Sequence, residues 1–309
     1  NSAAERMRVV IAENDWTSWP EKQDSPSFPQ SMSLLSKVPL LGQERQREMM
    51  KSATPLTYLE TPEGPVQAHF FVPHDFSLER KWPLIVFFHG GFWDTAMPTQ
   101  FVPQCLHFAT RGAMAVVVET RLESTHRTGP MEALEDVKVF LAWLAEHSER
   151  LGIDLDRVVF SGASGGAFLA LEQVLPKPGK NDPAPLISPK ALVLFSSLLD
   201  TTHSQFAKRF PDGKTARKHC PLRQMRRKLP PIMLCHGKSD RVTPFEDVRK
   251  FVKGLKWRGN QVELLEFERA EHSFFNFNVS ELHYELTLKA ADHFLVDLGL
   301  LEPDELADL

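Results

Sequence analysis

One short segment constrains the fold of this chain most, because it passes from a strand pattern to a helix pattern across a single serine. Residues 158–160 are apolar and typical of a buried strand, and residues 166–171 have an apolar pattern that favours a helix. The intervening G-x-S-x-G motif is centred on Ser164. So tight a turn requires small residues two positions before and after the serine. The pattern predicts that the Ser164 hydroxyl stands above a sheet edge at a helix N-terminus, where N–H groups favour an anion.

A second strand pattern, at residues 83–88, runs into a pair of glycines, Gly90 and Gly91, preceded by His89. Glycines after a strand let the backbone approach a substrate closely, so this turn is predicted to supply a donor for an oxyanion. His89 is predicted to be a structural hydrogen-bonding residue rather than a proton carrier. The alternative is an ordinary glycine turn capped by the histidine.

The candidate acid follows a third apolar run, at residues 231–236. Asp240 lies in the loop after this strand and before a helix predicted to open at Pro244, which suits a carboxylate that orients a histidine. The alternative for Asp240 is a turn or helix-capping role. Asp200, which follows the strand around residues 192–195, is the reserve candidate.

The candidate base is His272, in the loop after the alternating strand pattern at residues 262–267. The chain order Ser164, Asp240, His272 is the one described for α/β-hydrolases. A serine at a tight turn, a histidine to accept its proton and an acid to orient that histidine together predict a serine hydrolase.

From Pro83 to about Leu298 the sequence resembles the α/β-hydrolase superfamily, in particular its hormone-sensitive-lipase-like and arylformamidase-like esterases. The H-G-G-x-W form of residues 89–93 and the segments at 133–143 and 151–158 carry the resemblance together with G-x-S-x-G. It implies a mostly parallel central sheet with helices on both faces and a small cap or lid. It also implies Ser164 as nucleophile, Asp240 as acid and His272 as base, with Gly90 or Gly91 and Gly165 as the oxyanion donors.

Bulky aromatic residues flank the predicted site in sequence. Phe92 and Trp93 follow the glycine pair, and Phe274, Phe275 and Phe277 follow the candidate base. If they line the pocket, with Trp93 among the substrate-binding residues, only short acyl groups should fit. Ordinary core packing is the alternative for all five.

The domain organisation predicted is an N-terminal extension, 1–54, that forms part of a cap, followed by a catalytic domain, 55–309. Trp16, Trp19 and Phe28 indicate that part of the extension docks on the core, and residues 43–51 favour a helix. The stretch from Lys208 to Lys228 contains nine Lys or Arg residues and one acidic residue. This stretch, within an insertion at about 200–230, is either a solvated face or a basic lid that attracts acidic substrates.

Composition fits one soluble enzyme. The 309 residues are 42% apolar and 25% charged, enough for one large core, and no apolar run reaches the roughly 18 residues of a membrane span. A net charge of −4 gives no case for nucleic acid. The three cysteines show no metal spacing, and we expect no cofactor or metal. Oligomeric state stays open, as does the compartment, which is cytoplasmic or exported after removal of a signal peptide.

The predicted function is hydrolysis of short-acyl carboxylic esters, with a small-molecule ester as the partner. An arylformamidase-like amide hydrolase is the alternative within catalysis. A non-catalytic ligand-binding protein on the same fold is the alternative outside it, but such proteins typically lose the serine or the base.

Overall fold

The computed structural model describes residues 14–22, 42–179 and 183–304. Within them, eight strands form one sheet in the order β1-β2-β4-β3-β5-β6-β7-β8. The strands are β1 (Thr54–Thr61), β2 (Gly64–Phe71), β3 (Trp82–Phe88), β4 (Met114–Val118), β5 (Ile153–Ala163), β6 (Ala191–Phe195), β7 (Ile232–Gly237) and β8 (Val262–Phe267).

The sheet is mostly parallel, as the sequence predicts. β1 and β2 form an antiparallel hairpin, β2 pairs antiparallel with β4, and every other pairing is parallel. Parallel strands end at one edge of a sheet, so the loops after β3, β5, β7 and β8 meet there. These are the loops that carry the predicted site residues.

Helices cover both faces. They are α1 (Gly42–Met50), α2 (Val102–Thr110), α3 (Glu123–His126), α4 (Pro130–Leu151), α5 (Gly165–Glu172), α6 (Ser204–Ala207), α7 (Gly213–Lys218), α8 (Pro221–Gln224), α9 (Phe245–Trp257) and α10 (Glu281–Asp297). Core residues of α4, α5 and α9 pack on one face of the sheet, and those of α1, α2 and α10 pack on the other. β3 serves both cores, since Val86 and Phe88 point to the first and Ile85 and Phe87 to the second.

Part of the N-terminal extension docks on the domain. Trp16 stacks on Trp143 of α4, with ring centroids 6.1 Å apart, and Trp19 meets the ring of Phe70 edge-on. Phe28, with the rest of residues 23–41, lies outside the described residues. The role of the extension as a cap stays a prediction.

The segment between β6 and β7 forms the short helices α6, α7 and α8. Its Phe206 and Phe210 are buried against the core beneath it, so aromatic side chains anchor this insertion. Whether it acts as a lid stays a prediction. No helix in the described part of the chain is both long enough and apolar enough to cross a membrane.

Candidate active site

Ser164 lies between β5 and α5, in a backbone conformation that is costly for a residue with a side chain. Its φ of 54° and ψ of −118° fall outside the well-populated regions, and such strain clusters at functional sites. Glycines make the turn possible, because a Cβ at Gly162 would lie 2.6 Å from the carbonyl carbon of Gly166. The backbone N–H of Ser164 donates to Phe195 O at 3.2 Å, which holds the turn to the neighbouring strand β6.

Three predicted residues meet at this turn in one hydrogen-bonded row. Ser164 Oγ lies 2.5 Å from His272 Nε2, and His272 Nδ1 lies 2.8 Å from Asp240 Oδ2. The serine is 4% exposed and the Asp240 side chain is fully buried. A serine hydroxyl, an imidazole and a carboxylate in this order can pass the hydroxyl proton to the histidine while the acid stabilises the imidazolium.

The carboxylate of Asp240 accepts hydrogen bonds on both oxygens. Oδ1 accepts from the backbone N–H groups of Val242 and Thr243, and Oδ2 accepts from Thr243 Oγ1 at 2.8 Å and from His272. Burial raises the pKa of the Asp240 carboxyl, but hydrogen bonds from His236, His272 and the Thr243 backbone outweigh it and hold the pKa well below its ordinary value. Asp240 is therefore an anion at neutral pH.

Two residues that hold Asp240 were missed by reasoning from the sequence. His236 is fully buried in β7, and its Nε2 donates to Thr243 O at 2.8 Å and lies 3.2 Å from Asp240 Oδ2. Thr243 Oγ1 also lies 3.1 Å from His272 Nδ1. Their positions four residues before and three residues after Asp240 were the available signal, since a carboxylate in a tight loop is usually hydrogen-bonded by residues this close.

The reserve acid, Asp200, has other partners. Its Oδ1 accepts from the backbone N–H of Thr202 at 2.9 Å and from the hydroxyl of the same residue. Within the described residues, Asp200, His203 and Asp247 are the group whose ligand atoms lie close enough together for a metal ion. His203 Nε2 and Asp247 Oδ2 already form a hydrogen bond of 2.9 Å. The expectation that the protein uses no metal or cofactor stays a prediction.

The glycine pair after β3 already takes part in hydrogen bonds within the protein. Gly90 donates its N–H to Gln100 Oε1 at 2.5 Å, and Gly165 donates its N–H to Gly91 O at 3.1 Å. His89 Nδ1 lies 2.8 Å from Gly90 O, and burial lowers the pKa of His89, so a neutral imidazole bracing the turn fits the structural role expected for it. Among the described residues, the Gly91 N–H, unlike that of Gly90, has no hydrogen-bond acceptor, and the role of either glycine as an oxyanion donor stays a prediction.

The close approach of Gly91 to the serine turn explains why glycine stands at position 165. A Cβ there would lie 2.5 Å from Gly91 O and 3.1 Å from Trp93 Cε2, which is closer than real Cβ contacts. Trp93 therefore packs directly beside the residue that follows Ser164, and its role in substrate binding stays a prediction.

Four aromatic rings, Phe92, Trp93, Phe206 and Phe210, form an aromatic wall beside the serine. Phe92 stacks near His272, with centroids 6.1 Å apart, and lies 4.8 Å from Phe206; Trp93 lies 5.8 Å from Phe210. Behind this wall is a cavity of about 580 Å³ lined by three of the rings and by Arg127, Lys208 and Arg209. Neither Ser164 nor His272 is among the residues that line this cavity.

The other predicted aromatics take the alternative role of core packing. Phe274, Phe275 and Phe277 are buried in the core shared with α2 and α10, and Phe275 stacks on Phe195 at 4.8 Å. They follow His272 in sequence but line neither the cavity behind the aromatic wall nor the cavity beside Ser273. Aromatic crowding at the serine comes instead from the Phe92 side and from the insertion between β6 and β7.

Comparisons with known proteins identify relatives of this chain. A family model described as alpha/beta hydrolase fold matches residues 85–226. Esterase LipI of Mycobacterium tuberculosis is 26% identical over 165 residues, which are 45% of this chain and 51% of LipI. LipM of the same organism, a probable carboxylic ester hydrolase, is 27% identical over 65% of this chain and 51% of its own length. The chain spans about half the length of these curated relatives.

The matches to solved structures cover almost the whole length of the matched protein. Esterase 2 of Thermogutta terrifontis, in a form phosphoramylated by tabun, is 32% identical with a TM-score of 0.75, and the match covers 82% of this chain and 98% of that one. A propionate-bound form of the esterase from that species is 33% identical with a TM-score of 0.74, over 82% and 97% of the two chains. This chain belongs to the α/β-hydrolase family of esterases, and the predicted fold is confirmed.

Proposed function

We propose that this protein hydrolyses carboxylic esters with short acyl groups, using Ser164 as nucleophile, His272 as general base and Asp240 as the orienting acid. The row of hydrogen bonds from Ser164 Oγ to His272 Nε2 and from His272 Nδ1 to Asp240 Oδ2 carries the proposal. It supplies a nucleophile, a proton acceptor and a fixed anion in contact with one another, which ester hydrolysis through an acyl-enzyme requires.

In the first half of the reaction, the Ser164 hydroxyl proton passes to His272 Nε2 as Oγ bonds to the ester carbonyl carbon. The tetrahedral intermediate collapses, the bond to the alcohol oxygen breaks, and His272 returns the proton to that oxygen. Water then repeats the sequence on the acyl-serine, and the carboxylic acid leaves. Asp240, held as an anion, stabilises the imidazolium in both halves.

The oxyanion of the intermediate is assigned to the backbone N–H groups of Gly91 and Gly165. The Gly165 N–H now donates to Gly91 O, so the substrate oxygen replaces that carbonyl as Gly165's acceptor. Gly91 has a φ of 90°, and a glycine can change its backbone angles without the steric penalty other residues meet. Such preorganised donors typically contribute about 3–4 kcal/mol each to transition-state stabilisation.

The preference for short acyl groups is supported by the aromatic wall. Phe92 lies against His272 and Trp93 lies against Gly165, and both rings also line the cavity behind the aromatic wall. An acyl chain bound to Ser164 therefore meets these rings after a few carbons. The Thermogutta terrifontis esterase has structures with propionate and with butyrate bound, and a similar acyl size follows for this chain.

Covalent labelling by paraoxon, followed by intact-mass and peptide mass spectrometry, tests the proposal. The Thermogutta terrifontis esterase is phosphorylated by paraoxon. We expect one diethylphosphoryl group per chain, located on Ser164, with hydrolysis of para-nitrophenyl acetate lost in proportion to labelling. Hydrolysis that continues after complete labelling, or labelling at another residue, would contradict the assignment. Formanilide, the N-formyl amide of aniline, is assayed beside the acetate to test the amide-hydrolase alternative. We expect the ester to be hydrolysed faster than the amide.

A further inference from the structure

A second cavity, also of about 580 Å³, lies beside the loop that carries His272. It is enclosed by α1, by the loop that leads into α2 and by the loop that follows His272. Its polar lining is Gln46, Arg47, Thr99, Gln100, Ser273, Asn276 and Asn278. Four of these are carboxamides, so we call it the amide cavity.

The amide cavity shares its walls with the reaction centre. Ser273 directly follows His272 in the chain, and Gln100 Oε1 accepts the N–H of Gly90. A group bound against Ser273 is one residue along the chain from the imidazole that protonates the departing oxygen. The cavity behind the aromatic wall is lined by Phe92 and Trp93 instead, and neither Ser273 nor Gln100 is part of its lining. This placement favours the alcohol, the half of the ester that leaves with its oxygen, as the half that the amide cavity accepts.

The lining is polar where it is most buried. Gln46, Gln100 and Asn276 are 4%, 8% and 7% exposed, and Asn276 Oδ1 has no hydrogen-bond partner among the described residues. A buried amide oxygen without a partner is costly to keep and rare. Each carboxamide offers both donors and acceptors, so a ligand with several hydroxyl groups can bond to several of them, whereas a hydrocarbon would leave Asn276 Oδ1 unpaired.

The charge of the lining disfavours cationic alcohols. Among the described residues that line the amide cavity, Arg47 is the charged one and none is a carboxylate, so a cationic alcohol finds no counter-ion. We propose that the amide cavity binds the alcohol half of the ester and that this alcohol is a polyhydroxylated compound of the sugar type without a cationic group. The proposal rests on the esterase function proposed above.

Two acetates with the same framework test it. One is glucose acetylated on its primary hydroxyl, and the other is cyclohexylmethyl acetate, which lacks the ring oxygen and every free hydroxyl. We expect kcat/KM for the sugar acetate to exceed that for the cyclohexyl compound by about tenfold or more, since one well-placed hydrogen bond corresponds to roughly that factor. Equal values, or a preference for the cyclohexyl compound, would overturn the proposal.

Variants locate the preference in the amide cavity. Gln46→Met and Asn276→Leu keep the side-chain size and remove the amide, and each should lower the ratio of the two kcat/KM values by about tenfold. Gln261→Met, at an exposed glutamine before β8, is the matched control and should keep the wild-type ratio. A ratio that is the same in all three variants would overturn the proposal.

Two measurements on the wild-type protein make the test independent of variant folding. Methyl glucoside should inhibit competitively at concentrations at which cyclohexanemethanol does not. Methyl gluconate, which carries its hydroxyls on the acyl half, should be a poor substrate, and faster turnover of it than of the sugar acetate would contradict the alcohol assignment. If paraoxon labels Ser164 and para-nitrophenyl acetate is hydrolysed, but the expected preferences for the sugar compounds are not observed, the esterase function stands. Only the inference that the alcohol is a sugar is then contradicted.

Discussion

Thr243 donates its hydroxyl to Asp240 Oδ2 at 2.8 Å, and the same Oγ1 lies 3.1 Å from His272 Nδ1. One side chain thus contacts both the acid and the base. Thr243 is 2% exposed and also donates its backbone N–H to Asp240 Oδ1. We infer that Thr243 positions the carboxylate so that its Oδ2 faces the imidazole.

Thr243→Val should lower kcat by about tenfold with little change in KM, because it removes the hydroxyl donor while keeping the side-chain shape, and a hydrogen bond to a charged group typically contributes about 1.5–3 kcal/mol. Thr243→Ser restores the donor and should recover most of the rate. Steady-state kinetics on para-nitrophenyl acetate measure both. A valine variant as active as the wild type would show that the hydroxyl has no positioning role.

The choice between the two candidate acids is tested by a matched pair of substitutions. Asp240→Asn should leave the fold intact and lower kcat by about 10⁴, the scale seen when the acid of a trypsin-like triad is replaced, because the amide favours the wrong imidazole tautomer. Asp200→Asn should have a small effect, since Asp200 Oδ1 accepts hydrogen bonds from the N–H and the hydroxyl of Thr202 and His272 instead bonds to Asp240. The opposite pattern would place the acid after β6.

The aromatic wall predicts how acyl preference responds to Phe92. For wild-type protein, kcat/KM across a chain-length series of para-nitrophenyl esters should be highest at acetyl to butyryl. Phe92→Ala should move the maximum to longer acyl chains by opening a path to the cavity behind Trp93, and each accommodated methylene contributes about 1–3 kcal/mol. Phe92→Tyr keeps the ring and is the control. A wild-type maximum at roughly ten or more carbons would indicate an open channel.

Stability at low pH should depend on Asp292. Burial raises the pKa of its carboxyl, but hydrogen bonds from His107 and Arg111 lower it to about 2. Because this folded-state pKa lies below the unfolded value, the carboxylate stabilises the fold above about pH 4, and that contribution is lost as pH falls toward 2.

Asp292→Asn should therefore lower the free energy of unfolding at neutral pH by about 2 kcal/mol and flatten its pH dependence between roughly pH 4 and 2. Asp75→Asn, which removes an exposed ion pair with Arg80, is the control and should change stability by less than about 1 kcal/mol. Urea titrations across this pH range measure both. Equal effects of the two substitutions would contradict the assignment.

The sheet and the row Ser164, His272, Asp240 were predictable because each depends on local sequence. Apolar runs fix the strands, and the carboxyl ends of neighbouring parallel strands must meet at one edge. The serine turn was predictable for the same reason, since the spacing of its glycines is a steric requirement of a sharp turn.

The other features of the site depend on contacts between distant segments of the chain. The spacing of residues in the sequence does not predict such contacts. Nothing near Gly91 in the sequence indicates that its carbonyl accepts the Gly165 N–H, 74 residues further along the chain. The aromatics after His272 turn into the core because β8 and α10 carry them there, while Phe206 and Phe210 reach the site from the insertion. The part played by Gln46 in the amide cavity follows from the docking of α1.

The role of Ser164 is tested most directly by the turnover of Ser164→Ala, measured on purified, folded protein with para-nitrophenyl acetate. Loss of the nucleophile should lower kcat by about 10⁵–10⁶, the scale found when a triad serine is removed, with unchanged circular dichroism. A folded variant that keeps a tenth of the wild-type rate would show that Ser164 is not the nucleophile.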